Sequence, residues 1–190
     1  GFRYSNLIYF MSDIKKISSE VVQKNPWWEY KNNKFLLPSG TVKDYYYGET
    51  TGNVLIIPVL DDGRLVLVRQ YRFLDEKNSL EFPGGGIHTD ESPPDAAVRE
   101  LLEETGYKTD NLIKVGSFEP CVGLLKDQSH IFIANELIEI QPPQSDETEN
   151  TEVILRRVDE FENMIKQGEI WNGQVLAAWA IARDLLLKNE

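Results

Sequence analysis

The stretch EFPGGGIHTDESPPDAAVRELLEETGYK, residues 81–108, joins a run of glycines to a segment rich in carboxylates. Ser92 is a good helix N-cap, Pro93 suits the first turn, and Asp95 supplies the acid of a capping box. Gly106 suits the position just after a helix, where a left-handed backbone is common. The stretch therefore predicts a helix between Ser92 and Gly106 that follows a glycine-rich turn.

This helix is predicted to have one apolar face and one acidic face. At about 100° per residue, the face that would pack on a sheet consists of Val98, Leu101, Leu102 and Thr105. The opposite side carries Arg99, Glu100, Glu103 and Glu104. Glu103 and Glu104 lie three and four residues after Glu100, and like charges at these spacings repel by roughly 0.2–0.5 kcal/mol per pair. The acidic face is either simply solvated or holds a divalent cation, because magnesium prefers oxygen ligands.

Composition limits the classes of partner. The 190-residue chain is long enough for one globular domain, and its formal net charge is −11. Polyanions would be repelled, so we expect no nucleic-acid partner and no membrane partner. A ligand that contains phosphate stays compatible with this charge if a divalent cation bridges it to the protein.

Cysteine usage and the N-terminal sequence bear on the compartment. Cys121 is the single cysteine, which rules out an intrachain disulfide and favours a reducing, cytoplasmic location. The apolar stretch near the N-terminus is too short to span a bilayer and lacks the features of a secretory signal. Residues 1–10, which begin with Gly1 rather than Met, fit a native extension and a cloning remnant equally well.

Three segments are predicted along the chain. Residues 1–24 form an N-terminal extension that is partly flexible or helical, residues 25–52 an aromatic-rich arm with short strands and a hairpin, and residues 53–190 the main domain. In the main domain, NVLIIPVL and RLVLVRQYRF flank an Asp-Gly turn and predict a β-hairpin. Three more strands follow the acidic helix, and two helices separated by Gly168 and Gly173 come last. The fold class is α+β, with a mixed sheet flanked by helices.

The residues around the acidic helix match a specific pattern. Gly85, five residues, Glu91, seven residues and then RELLEETGY reproduce G-x5-E-x7-R-E-U-x-E-E-x-G-U, where U is a bulky apolar residue. Tyr107 at the last position is a mild departure. The pattern resembles the signature of the Nudix hydrolases. The resemblance implies a Nudix fold, a mixed β-sheet sandwiched between helices, and hydrolysis of a nucleoside diphosphate linked to another group.

The resemblance also implies roles within this pattern, with Mg²⁺ or Mn²⁺ as the cofactor. The implied metal ligands are the carbonyl of Gly84 and the carboxylates of Glu100, Glu103 and Glu104. Arg99 would lie by Glu91 or Glu103 and hold the carboxylates in place. Gly85 would let the loop backbone approach the substrate. The metals would polarise the diphosphate and help to deprotonate the attacking water.

Sequence outside this pattern is similar to the ADP-ribose and nucleotide-sugar pyrophosphatase branch. The similar segments are NPWWEYKNNKFLLPSG, IPVLDDGRLVLVRQYRF, LEFPGG and GEIWNGQVLAAWAIA. The branch implies a nucleoside diphosphate sugar whose phosphates Arg72 would grip, unless Arg72 is only a solvated charge at a strand end. Glu81 would contact substrate or metal, or form a structural ion pair. Of Trp27 and Trp28, one would stack on the base and the other would fill the core or the interface of a homodimer.

In this branch the general base lies on an acidic loop before the last strand, which here reads SDETENTE. Glu147 aligns best and Glu149 second, while Asp146 and Glu152 are further candidates. Such a residue must reach the attacking water, so the loop would close over the substrate. The alternative is a solvated loop without a catalytic role.

One departure leaves the substrate open. ADP-ribose hydrolases commonly carry an S-P-G loop with a nearby glutamate, where this chain has EPCVGLLKDQSH. Pro120, Gly123 and Asp127 would cover part of that role. The alternatives are a Nudix hydrolase of nucleoside triphosphates or dinucleoside polyphosphates, and a Nudix domain that senses a nucleotide without cleaving it. The aromatic arm favours the sugar branch over the first alternative, and the intact glutamates argue against the second.

Overall fold

The computed structural model describes residues 13–144 and 151–187, which form thirteen strands and three helices. In chain order these elements are β1 (Lys15–Lys24), β2 (Glu29–Leu36), β3 (Val42–Glu49), β4 (Asn53–Pro58), β5 (Leu65–Arg72), β6 (Lys77–Glu81), β7 (Gly84–Gly86), α1 (Pro93–Thr105), β8 (Tyr107–Lys108), β9 (Asn111–Phe118), β10 (Leu125–Lys126), β11 (Ser129–Asn135), β12 (Ile138–Glu139), β13 (Glu152–Arg156), α2 (Val158–Gln167) and α3 (Gly173–Leu186). None of the described helices is long and apolar enough to cross a bilayer.

The chain divides into two compact units. The arm unit comprises Gly1–Thr50 and Cys121–Asp127, and the main unit comprises Thr51–Pro120 and Gln128–Glu190. The sequence does not indicate that Cys121–Asp127 belongs to the arm unit. The segment joins it because β10 pairs in parallel with β3, Leu125 opposite Gly48 and Lys126 opposite Glu49.

The arm unit is a four-stranded sheet in the order β1-β2-β3-β10. β2 and β3 are antiparallel and are joined by a turn in which Gly40 has a φ of 83°, which confirms the predicted hairpin. The helix predicted within residues 1–24 is wrong for Lys15–Lys24, which pair with β2 along their whole length. Three β-branched residues, Ile17, Val21 and Val22, weaken the local preference for a helix, and the hydrogen bonds offered by β2 decide the outcome.

The main unit contains two sheets and a two-stranded pair. The first sheet has the order β7-β4-β11-β9 and is mixed, because β11 runs parallel to β4 while its other pairs are antiparallel. The second sheet is antiparallel, in the order β13-β5-β6. Strands β8 and β12 form the separate pair.

The first sheet is covered on both faces. Val54, Ile56, Phe132 and Ala134 pack on one face with Ala96, Ala97 and Leu101 of α1. Leu55, Ile57, Ile131 and Ile133 pack on the other face with β5, β6 and the last two helices. There, the rings of Phe161 from α2 and Trp179 from α3 lie 5.0 Å apart. The predicted α+β class, with a mixed sheet between helices, is confirmed.

The hairpin predicted between β4 and β5 forms only at its tip. The N–H of Leu60 donates to the carbonyl of Arg64 at 2.9 Å, and one bridge joins Val59 to Leu65. Beyond that bridge the two strands enter different sheets. Residues Val54–Pro58 are all buried, and a strand that is buried on both faces needs cover from both sides. A simple two-stranded hairpin cannot provide that cover.

Candidate active site

The ends of α1 are those that the sequence predicts. The side chain of Ser92 accepts a hydrogen bond from the backbone N–H of Asp95. Gly106 follows the helix with a φ of 76° and donates its N–H to the carbonyl of Leu102 at 2.9 Å. The predicted helix is therefore confirmed, because its signals are local contacts that do not depend on the rest of the fold.

The buried face of α1 is rotated from the predicted one. Its buried residues are Ala96, Ala97, Leu101 and Thr105, whereas Val98 and Leu102 are only half-buried. The two alanines let the helix approach the sheet closely, and this moves the centre of the packed face toward the glutamates. As a result, Glu100 and Glu104 border the packed face, and the side chain of Glu100 is only 13% exposed.

The glycines of β7 are required by close packing. A Cβ on Gly84 would lie 2.1 Å from the carbonyl oxygen of Val54, and a Cβ on Gly85 would lie 2.3 Å from Oε1 of Glu100. At Gly86 a Cβ would meet no atom within 4 Å. None of the three has a φ in the left-handed region, so the sharp glycine turn expected from the sequence is a short strand instead.

Alanine at these three positions is expected to have three different effects. Gly84→Ala forces β7 away from β4 and lowers the free energy of unfolding by about 1–3 kcal/mol. Gly85→Ala meets only the movable end of Glu100, so catalytic activity falls more than stability does. Gly86→Ala is the control, with a change within about 0.5 kcal/mol. Urea unfolding and hydrolysis rates check the series, and equal stability of the first and third variants would contradict it.

Arg99 lies at the centre of the acidic face. Its Nε and Nη2 donate to the two carboxylate oxygens of Glu91 at 2.8 and 2.9 Å. Its Nη1 donates to Glu100 at 2.7 Å and to Glu103 at 3.1 Å, and Nη2 also donates to the carbonyl of Gly86. Arg99 thus contacts both Glu91 and Glu103, which the sequence analysis gave as alternative partners. One guanidinium offsets the mutual repulsion of three carboxylates.

Arg99 also controls the protonation of Glu91. Hydrogen bonds from the guanidinium lower the pKa of Glu91 from 4.5 to about 2, and the backbone N–H of His88 adds to this at 3.0 Å. The same contacts raise the pKa of Arg99. Both groups are therefore charged at neutral pH, and the pair is a fixed part of the site.

Glu91→Gln is expected to lower the free energy of unfolding by about 1 kcal/mol at neutral pH, because Arg99 loses a charged partner near the surface. The pKa of Glu91 is lower in the folded protein, so its stabilisation is complete above 4.5 and is lost as the pH falls toward about 2. Urea unfolding of the wild type and of Glu91→Gln should show a smaller difference in the free energy of unfolding near pH 3.5 than at neutral pH. A gap independent of pH would mean that Glu91 stabilises through packing.

Glu100 and Glu104 both face β7, the glycine strand Gly84–Gly86. Oε2 of Glu104 accepts a hydrogen bond from the N–H of Gly84 at 2.8 Å. The carboxylate of Glu100 occupies the space that a Cβ on Gly85 would fill. Glu103 lies farther out, with 41% of its side chain exposed. The strand and the helix therefore place two carboxylates against backbone and a third toward solvent.

These carboxylates fit a hard divalent cation by their chemistry, since all the donors are oxygens. In the part of the chain that the structure describes, no three His, Cys, Asp or Glu side chains are gathered as a ready-made metal site. Arg99 instead bridges Glu100 and Glu103. Only a glycine at position 85 leaves room for the carboxylate of Glu100 beside β7. This space supports the fit of the carboxylates to a divalent cation. A divalent ion would be held by Glu100, Glu103 and Glu104.

Arg72 and Glu81 form a bidentate ion pair across β5 and β6. Nε of Arg72 donates to Oε1 of Glu81 at 2.8 Å, and Nη2 donates to Oε2 at 2.6 Å. Burial alone would raise the pKa of Glu81, but the hydrogen bonds and charge of Arg72, together with hydrogen bonds from Asn172 and Ser79, outweigh it and lower the pKa. The structural ion pair is thus present. The guanidinium remains partly exposed to solvent.

The two tryptophans precede β2 in the arm unit. Their backbone N–H groups both donate to Oδ1 of Asn25 at 2.9 Å. Trp27 is 79% exposed and Trp28 is 44% exposed. The expectation that one of them could fill the core is therefore wrong, because the tight turn at Asn25 keeps both rings at the surface. Base stacking and a role at a dimer interface stay predictions.

The acidic loop is described only in part. Asp146, Glu147 and Glu149 lie outside the described residues. Glu152 is described at the start of β13, where its carboxylate accepts a hydrogen bond from Nη1 of Arg69 at 2.8 Å. Since Glu152 is engaged on the sheet, the candidates for the general base are better sought among the other three.

Asn172 lies beside Glu81, although the sequence does not predict it as a site residue. It is the N-cap of α3, where its side chain accepts from the N–H of Gln174 at 2.9 Å. A hydrogen bond from its side chain also lowers the pKa of Glu81, by less than Arg72 does. An Asn just before a helix predicts the cap. No local signal predicts the contact with Glu81, because that contact depends on how α3 docks on β6.

Comparisons with known proteins agree with this geometry. The NUDIX domain family matches residues 49–179. An ADP-ribose pyrophosphatase of Bacillus subtilis is 29% identical over 143 residues, which cover 75% of this chain and 77% of the relative. A methanol dehydrogenase activator of Bacillus methanolicus is 30% identical over the same shares of the two chains.

A solved structure shows the same fold. The crystal structure of an ADP compounds hydrolase superposes with a TM-score of 0.78 and covers 93% of this chain and 95% of its own, at 22% identity. The predicted family is confirmed by the match to residues 49–179, which include the glycine strand, α1 and Arg72. The chain belongs to the Nudix family.

Proposed function

We propose that this protein hydrolyses the diphosphate of ADP-ribose or a related nucleoside diphosphate sugar, with Mg²⁺ or Mn²⁺ as the ion. The observation that carries the proposal is the arrangement of three glutamates of α1 in a Nudix chain: Arg99 bridges Glu100 and Glu103, and Glu104 lies against the backbone of Gly84. The name of the Bacillus subtilis relative supports an enzyme that acts on a pyrophosphate bond.

The reaction is a hydrolysis at phosphorus. A water oxygen attacks one phosphorus of the diphosphate, the bridging P–O bond breaks, and the bridging oxygen leaves with the other phosphate. The products are a nucleoside monophosphate and a sugar phosphate. When bound, the divalent ion supplies polarisation of the phosphate oxygens and a lower pKa for the attacking water. It also offsets the repulsion between the substrate and a protein of net charge −11.

The chain's own residues bind and orient the reactants. Glu100, Glu103 and Glu104 would hold the ion, and Arg99 keeps the carboxylates of Glu100 and Glu103 in place through its hydrogen bonds to them. Gly85 lets the backbone approach Glu100, and the Gly84 carbonyl is a further proposed ligand of the ion.

Arg72 is proposed to bind the substrate phosphates. Glu81 holds two of its nitrogens and fixes the plane of the guanidinium, so the exposed edge of the group is presented in one orientation. Trp27 or Trp28 is proposed to stack on the base, since both rings are exposed. The attacking water would give its proton to Glu147, or to Glu149 as the second candidate.

Product analysis tests the proposal. The protein is incubated with Mg²⁺ and, in separate reactions, with ADP-ribose, ADP-glucose, GDP-mannose, NADH and a mixture of dNTPs. Release of a nucleoside monophosphate together with a sugar phosphate from one of the first three supports the proposal. Preferred cleavage of the dNTPs would favour a triphosphate hydrolase, and saturable binding without cleavage would favour a nucleotide sensor.

We also propose that two copies associate through the arm unit. β1 is an edge strand of its sheet, and all ten of its residues are exposed, including Ile17, Val21 and Val22. An exposed edge of this kind can pair with another chain. Light scattering should give the mass of a dimer, and the double substitution of Val21 and Val22 by lysine should shift it toward monomer. A monomeric wild type would refute the proposal.

A cytoplasmic location without nucleic-acid or membrane partners completes the proposal. The single cysteine, Cys121, is free, and the strongly acidic composition disfavours polyanions. Cell fractionation and gel-shift assays test these points. Recovery of the protein outside the cytoplasm, or a stable complex with RNA or DNA, would overturn them.

A further inference from the structure

Asn172 contacts Glu81 from outside the two strands that carry the Arg72–Glu81 ion pair. Glu81 is 3% exposed and lies on β6, whereas Arg72 lies on β5. Asn172 stands at the start of α3 and gives the carboxylate of Glu81 a further hydrogen bond. The buried carboxylate is therefore held both by a neighbouring strand and by the first residue of a helix.

The amide of Asn172 has only one possible orientation. It accepts a hydrogen bond from the backbone N–H of Gln174 at 2.9 Å, so its oxygen Oδ1 caps α3. An ionised carboxylate only accepts hydrogen bonds, so the bond to Glu81 must come from the amide nitrogen Nδ2. One side chain thus caps α3 with its oxygen and holds Glu81 with its nitrogen. Aspartate also caps helices, but it offers no donor for the second contact.

Neighbouring contacts fix the position of Asn172. The indole Nε1 of Trp171 donates to the backbone carbonyl of Asn78 on β6 at 3.3 Å. On the same strand, Nζ of Lys77 lies 3.8 Å from the centre of the Trp171 ring. The start of α3 is therefore attached to the strand that carries Glu81. Asn172 can act as a fixed anchor for the carboxylate.

An anchor outside the ion pair restricts a motion that the ion pair leaves open. The two hydrogen bonds of 2.8 and 2.6 Å set how Arg72 lies relative to Glu81. They do not set how the pair lies relative to the sheet, because the last torsion of a glutamate side chain is broad. The hydrogen bond from Asn172 restricts this torsion. The guanidinium, which belongs to a side chain that is 41% exposed, is then presented to solvent in one orientation.

We propose that Asn172 is a positioning residue for Arg72, which acts through Glu81 and keeps the exposed part of the guanidinium aligned with the substrate phosphates. The inference rests on the proposed function, in which Arg72 binds the diphosphate. Asn172 itself contacts neither the substrate nor the ion. Loss of its donor should therefore weaken substrate binding and leave the metal site of α1 intact.

The main test replaces Asn172 by aspartate in the full chain. Asn172→Asp keeps an oxygen that caps α3, but it removes the donor and places a second carboxylate beside Glu81. With Mg²⁺ and the nucleotide sugar that the wild type cleaves best, KM should rise about tenfold, because a hydrogen bond to a charged group is lost. The change in kcat should stay below about threefold, since the contact binds substrate and transition state alike. Mn²⁺ affinity, measured by calorimetry, should stay within about twofold of wild type, because the oxygen ligands of α1 are unchanged.

Two further variants separate the donor from charge and folding. Gln174→Glu is the matched charge control, because it adds one negative charge on the same turn of α3 and keeps the amide of Asn172. It should change KM by less than about twofold. Asn172→Ser keeps a capping oxygen, adds no charge and has a shorter side chain, so KM should rise by about threefold or more. Urea unfolding shows that each variant is folded.

Positioning is distinguished from other causes in two ways. In an Arg72→Ala background, Asn172→Asp should cause no additional rise in KM, because no guanidinium is left to position. The NMR order parameter of the Nε–H of Arg72, measured without substrate, should fall in Asn172→Asp and not in Gln174→Glu. An unchanged order parameter, or a full additional loss in the Arg72→Ala background, would overturn the proposal. A lower order parameter with an unchanged KM would instead refute the proposed binding of the diphosphate by Arg72.

Discussion

Glu104→Gln is expected to lower kcat/KM for the nucleotide-sugar substrate by on the order of 10²–10³-fold while leaving the fold intact. The carboxylate of Glu104 lies against the backbone of Gly84, whose N–H it accepts at 2.8 Å. An amide oxygen can still accept that hydrogen bond, so the position of the side chain is kept. What is lost is a negative charge that would bind the divalent ion.

Steady-state rates at several Mg²⁺ concentrations, with the melting temperature of each protein, check this result. Glu169→Gln makes the same chemical change at an exposed position just after α2 and should behave as wild type. Mn²⁺ affinity measured by calorimetry should fall in Glu104→Gln and not in Glu169→Gln. Normal turnover by Glu104→Gln would remove the glutamates of α1 from the mechanism.

Arg99→Ala tests a different role from the one that Glu104→Gln tests. Arg99 contacts Glu91, Glu100 and Glu103 but would not itself hold the ion. Its loss should therefore reduce both stability and metal affinity, because three carboxylates are left to repel one another. Glu104→Gln should reduce metal affinity alone. The two variants thus separate the organisation of the site from the binding of the ion.

Features set by neighbouring residues could be read from the sequence. The ends of α1 at Ser92 and Gly106 are fixed by contacts within one turn, and both are where the sequence predicts them. Features set by distant residues could not. Lys15–Lys24 form a strand because β2 supplies hydrogen bonds, and β4 and β5 part because they belong to different sheets. The face of α1 is rotated because Ala96 and Ala97 permit a close approach to the sheet.

The same division applies to the site. The spacing of Arg99, Glu100 and Glu103 on one helix places them within reach of one another, so their proximity is predictable. The ion pair of Arg72 with Glu81 requires the pairing of β5 with β6. The packing of Gly85 on Glu100 requires α1 to dock beside β7. The sequence thus indicates which groups are candidates for the site, while the tertiary structure decides which of them touch.

Glu147→Gln is expected to lower kcat by about 10²–10⁴-fold with KM nearly unchanged, because a general base acts on the attacking water and adds little to substrate binding. Glu149→Gln removes the same charge two residues away on the same loop and is the matched comparison. If Glu147 is the base, Glu149→Gln keeps most of the activity. If the order of the two variants is reversed, Glu149 is the base.

Two additional readouts distinguish a base from a loop charge. The acidic limb of the kcat–pH profile reports the base, so it should disappear in Glu147→Gln and persist in Glu149→Gln. Glu152→Gln is expected to stay near wild type, because Glu152 is paired with Arg69 on the surface of the sheet. Equal, moderate losses in Glu147→Gln and Glu149→Gln with an unchanged pH profile would mean that the loop acts through its total charge. The proton of the water would then have to leave by another group.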